Sequence, residues 1–154
     1  MRAKSYKTVS LPRSIPGEFA MIGNLPKNIL HAVLETIPLE FSVIDKNEKV
    51  LAWNKHHTRI FKRPEAVVGR DVRNCHPKKS LEKVEQILQE MKEGKRQKAR
   101  FYIDLPLGPQ DAKEKVLIDY YALRDEKGRY LGCLEASQNI SEIQKLSGEK
   151  RLLD

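Results

Sequence analysis

Residues 40–54 read EFSVIDKNEKVLAWN, two apolar runs separated by Asp45, Lys46, Asn47 and Glu48. Runs of this length, rich in β-branched and aromatic side chains and split by polar turn residues, predict a β-hairpin. On its N-terminal side, Ile29, Leu30, Val33, Leu34 and Ile37 recur at helical spacing until Pro38, so a short amphipathic helix leads into the hairpin. On its C-terminal side the elements are brief. Residues 55–61 read as helical, and Pro64 suits the first turn of another short helix that Gly69 ends. A longer helix follows. Its stripe is Leu81, Val84, Ile87, Leu88 and Met91, with Ser80 as the expected N-cap and Gly94 as the stop.

Beyond Gly94 the period changes from helical to alternating. ARFYIDLPL, KVLIDYYALRD and YLGCLEASQNI read as three strands joined by GPQDAKE and EKG, which predicts an antiparallel meander. Ser141-Glu142-Ile143-Gln144 has the pattern of a capping box and predicts an exit helix carrying Ile143 and Leu146. Five antiparallel strands with the helices gathered on one face make an α+β domain. Alternation along the middle strand places Val116, Ile118 and Tyr120 on one sheet face and Leu117 and Tyr121 on the other. Both faces therefore need cover. The helix before the hairpin, residues 28–37, or a second copy of the chain supplies the outer cover, and a symmetric homodimer is expected.

The 154 residues carry a net charge of +8 and two cysteines, Cys75 and Cys133, in no paired spacing. One domain with free thiols in a cytoplasmic setting fits this usage. No apolar run reaches the roughly 18 residues needed to cross a membrane. The first 25 residues hold Pro12, Pro16, Gly17 and Gly23 and read as a loosely ordered basic leader. The domain proper is expected over 26–147, with 148–154 as a tail. Excess positive charge at Arg2, Lys4, Lys7 and Arg13 opens the alternative of a nucleic-acid-binding regulator. Elsewhere Lys and Arg interleave with Glu as on a solvated helix face.

The order of these pieces resembles the PAS domain, a sensory module. FSVIDKNEKVLAWN is similar to its first two strands, PEAVVGRDV to its Gly-containing helix turn, and DEKGRYLGCLEASQNISEIQKL to its last strand and exit helix. RIFKRPEAVVGRDVRNCHPKKS, taken with the C-terminal run from Tyr130, resembles more narrowly the PAS-like domain at the C-terminus of hemerythrin-associated uncharacterised prokaryotic proteins. No hemerythrin-like segment fits within the chain, so a stand-alone version acting on another protein is expected. The resemblance implies a five-stranded PAS-like sheet with short helices and one longer connecting helix. It also implies a pocket for a small ligand or cofactor, whose occupancy regulates a partner through the exit helix or the dimer.

Four residues are candidate pocket ligands. Cys75 and His76 carry a thiol and an imidazole side by side in RNCHPKKS, groups that zinc or haem iron accept. The same stretch also reads as a turn shaped by Pro77 before the connecting helix. Haem is one candidate cofactor, and its identity stays open. Trp53 ends the second strand near the expected pocket mouth, and Tyr120 is the inward tyrosine of the pair. His56 and His57 would sit about 100° apart on a helix and serve one site poorly. No G-x-S-x-G, phosphate-binding glycine loop, H-E-x-x-H or kinase signature occurs, so binding rather than catalysis is expected. A ligand-free dimerisation or scaffold module is the remaining alternative.

Overall fold

The structure is a computed structural model that describes residues 23–55 and 59–152. The basic leader up to residue 22, together with His56 and His57, lies outside the described residues. Helix α1, Lys27–Thr36, leads into strands β1, Glu40–Asp45, and β2, Val50–Trp53. Two 3-10 turns, Glu65–Val67 and Val72–Cys75, precede the connecting helix α2, Lys78–Lys92. The chain then forms β3, Lys98–Pro106, β4, Lys113–Arg124, and β5, Tyr130–Asn139. The five strands make one antiparallel sheet in the order β2-β1-β5-β4-β3. The expected α+β layout and all five strands are present.

The core lies between one sheet face and α2. Val84, Leu88 and Met91 of α2 are buried on Ile44, Val50, Ala99, Val116, Ile118, Tyr120 and Cys133. Burying such side chains supplies about 1.5–3 kcal/mol each. The phase read from β4 holds. Val116, Ile118 and Tyr120 point into this core, while Leu117 and Tyr121 on the opposite face are half-buried.

Two expected caps differ in place. Helix α2 begins at Lys78 with Pro77 at the N-cap, whose extended backbone leads directly into the first turn. Ser80 is therefore inside the helix, and its hydroxyl donates back to the Pro77 carbonyl at 3.0 Å. Ser141 accepts the Lys115 N–H at 2.7 Å, so its hydroxyl ties β4 to the chain end instead of capping a helix. The exit helix reduces to one 3-10 turn, Ile143–Lys145. Of the expected helix over 55–61, Lys55 and residues 59–61 are not helical.

Helix α1 buries none of its own side chains. It is held instead by Asn54, which is 2% exposed. Asn54 Nδ2 donates to the Leu34 carbonyl at 2.9 Å and to the Leu39 carbonyl at 2.8 Å. Its Oδ1 accepts the Phe41 N–H at 2.9 Å. Leu34 lies in the last turn of α1, where carbonyls lack an intrahelical partner. One amide thus closes the helix end and fixes the start of β1.

Candidate functional site

Alternate positions of a strand face one way, and in β5 the inward ones are the odd-numbered Cys133, Glu135 and Ser137. Two of these three are polar. Across the ladder Glu135 pairs with Ser42 of β1 and Ser137 with Glu40, so the inner face is polar where β1 meets β5. Buried polar groups are costly unless partnered. The partners come from the segment after β2, which is otherwise irregular. Arg63 Nη2 donates to Glu135 Oε1 at 2.9 Å. Glu40 takes the N–H groups of Ile60 and Phe61 and lies 3.9 Å from Arg59 Nε. Arg59 also donates to the Asn54 carbonyl at 2.6 Å and to Ser42 Oγ at 3.4 Å.

The chain of contacts continues from Glu135 towards α2. Tyr120 faces Glu135 in register on β4, and its hydroxyl lies 3.2 Å from Glu135 Oε2. The same hydroxyl is 3.2 Å from His76 Nε2. The other ring nitrogen, Nδ1, is 3.0 Å from the Val72 carbonyl. Burial, followed by the Glu135 charge, raises the Tyr120 phenol well above its usual range, so it stays protonated. Phe101 meets the Tyr120 ring edge-on at 5.4 Å between centroids, an orientation that fixes the ring.

These groups surround a small cavity of about 20 Å³ lined by Ser42, Arg63, His76, Tyr120, Cys133 and Glu135 together with Ile44, Val50, Val72, Val84 and Leu88. That volume holds about one water. Burial also pushes the Cys133 thiol up to about 12, so it is an inert lining group at neutral pH. A wider open cleft of about 450 Å³, lined by Glu40, Arg59 and Ser137 among others, lies at the outer end of the same polar ladder.

Of the four residues singled out from sequence, His76 and Tyr120 come together at the cavity. Cys75 and Trp53 do not line it. Cys75 packs on the edge of the core with its sulfur 3.8 Å from the Asp71 carbonyl, and Trp53 packs against the core from β2. Haem does not fit the cavity as it stands, because the volume is that of one water and His76 Nε2 already faces the Tyr120 hydroxyl. Among the described residues no group of three or more His, Cys, Asp or Glu side chains is placed to hold a metal. The residues missed from sequence are Arg63 and Glu135. A carboxylate in the inward phase of β5 was the available clue.

A family model described as PAS domain matches residues 30–141. No curated protein matches the chain. The fold is similar to the C-terminal domain of a protein from Streptococcus mutans, with 29% identity and a TM-score of 0.70 over 82% of this chain and 96% of that one. It is also similar to a PAS domain from Colwellia psychrerythraea, at 14% identity and a TM-score of 0.55 over 75% of this chain and 97% of that one. VqmA of Vibrio cholerae, described as a dimer with a target DNA, matches at 16% identity and a TM-score of 0.58 over 85% of this chain and 60% of its own. The strand order, the connecting helix and the family match over most of the chain agree: the chain belongs to the PAS domain family.

Proposed function

We propose that the protein is a sensory module of a prokaryotic cytoplasm that binds a small ligand between its sheet and helices and regulates a partner protein. The observation that carries this reading is the chain of buried Tyr120 with part-buried His76, Glu135 and Arg63 around a cavity. A core built only for stability gains more from apolar packing, since burying an ion pair is at best neutral against hydrophobic side chains of the same size. Four polar groups from four parts of the chain are maintained there at a cost that ligand recognition explains. Ligand binding acts only if two arrangements of the domain differ in affinity. The mobile partner in that change is the segment carrying Arg63 and His76, or the packing of two copies through the outer sheet face. The half-buried Leu117, Tyr121 and Leu134 support the homodimer.

The test is native mass spectrometry and an absorption spectrum of freshly purified protein, with light scattering for the oligomer. A co-purifying small molecule, lost in Glu135→Ala, is the expected result. A monomer at micromolar concentration rejects the dimer. Failure of any small molecule to stabilise the fold rejects the sensory reading.

A further inference from the structure

The Val72 carbonyl can only accept, so His76 Nδ1 carries the proton of their 3.0 Å contact. In the neutral imidazole Nε2 is then an acceptor. Both it and Glu135 Oε2 lie 3.2 Å from the Tyr120 hydroxyl, which has one proton to give. One acceptor is left without a donor. On the other side of the cavity, Arg63 satisfies Glu135 through Nη2, but its buried Nε–H has no acceptor. The lining therefore wants one donor and one acceptor.

Its charges already balance. Arg63 faces Glu135, and the neighbouring Arg59 faces Glu40. An anion would meet the Glu135 carboxylate and a cation the Arg63 guanidinium, each adding an uncompensated buried charge. The remaining wall, Ile44, Val50, Val84 and Leu88, is apolar. We propose that this cavity takes a small neutral molecule that presents a hydrogen-bond donor and an acceptor on neighbouring atoms beside an apolar body, as an amide or lactam does. The proposal rests on the sensory reading above and names the chemistry of its ligand. One water meets the polar demand in a cavity of this volume. A larger occupant needs the segment between β2 and α2 to move outward with the Arg63 and His76 side chains still turned to the cavity, while the backbone bonds of residues 69–72 to the hairpin hold its middle.

The test is an NMR titration of the full chain at pH 8 with three probes of similar size, acetamide, acetate and ethylammonium. Acetamide is expected to give saturable shifts at the Val84 and Leu88 methyls and the Tyr120 ring, and the two ions none. Glu135→Gln lets the protein's own amide donate to the phenol, which frees the phenolic proton for His76. Acetamide affinity then falls at least five-fold. Tyr120→Phe opens both acceptors and should keep or improve acetamide binding, so it reads the same logic if Glu135→Gln does not fold. Acetate or ethylammonium binding as well as acetamide overturns the ligand class and leaves the sensory reading standing. No saturable shift with any probe overturns both, and loss of acetamide binding in Tyr120→Phe overturns the proton count.

Discussion

Asn54→Ala removes the amide that joins α1, β1 and the segment after β2. Three contacts of 2.8–2.9 Å are lost, to the carbonyls of Leu34 and Leu39 and the N–H of Phe41, together with a weaker one of 3.2 Å from Arg59 Nη1 to Oδ1. Arg59 retains its 2.6 Å bond to the Asn54 main-chain carbonyl. At about 1 kcal/mol for each buried bond, the loss is about 3 kcal/mol, a large share of a stability of about 5–15 kcal/mol. With a urea slope of about 1.5 kcal/mol per molar, the midpoint moves down by about 2 M. Asn54→Asp has the same shape but turns an oxygen towards two carbonyls, so it should cost at least as much. Because α1 buries no side chain of its own, its amides should also lose hydrogen-exchange protection before those of β4 and β5. A urea shift under about 0.5 M for Asn54→Ala, or a harmless Asn54→Asp, would refute this account of how α1 is held.

Gly132 has φ +154, and a Cβ there would come 2.0 Å from the Ile44 carbonyl; Gly132→Ala should part β1 from β5 and cost about 3 kcal/mol, read as a lower melting temperature. Arg100, bonded to Asp119 at 2.7 Å through two nitrogens, holds that carboxyl below its usual range. A carboxyl lowered by folding stabilises above its unfolded value and loses that contribution as pH falls through its folded one. Asp119→Asn should therefore flatten the acid side of a melting-temperature profile taken from pH 7 to 2. With its thiol pushed up to about 12 by burial, Cys133 should resist iodoacetamide at pH 8 while half-buried Cys75 reacts. Mass spectrometry should count one adduct in the native protein and two in urea.

Most of the fold was legible because it is written in local periods. The hairpin follows from two apolar runs around Asp45–Glu48, and α2 from a stripe that Gly94 ends in a left-handed turn at φ +78. Alternation along β4 was enough to turn Tyr120 inward. The site was legible only where it shares those periods. Arg63 and Glu135 are 72 residues apart, and neither sits in a motif. Their pairing follows from β1 lying beside β5, which no local pattern encodes. Asn54 escaped notice for the same reason, since its partners are decided by where α1 ends in space. Ser80 and Ser141 show the converse error: each fits a capping pattern, but a neighbouring group claims the hydroxyl.

Glu48 occupies the tip of the β1–β2 hairpin with φ 64 and is 6% exposed. Its carboxylate binds Arg73 at 2.5 Å and also Lys92. Arg73 belongs to the turn that delivers His76, and Lys92 is the last residue of α2. The hairpin tip is thus mechanically in series with the cavity. Anything that moves the His76 turn loads the same carboxylate that anchors the far end of the connecting helix. The His76 turn is thereby coupled through the hairpin tip to the C-terminal end of α2, without passing through either end of the polypeptide.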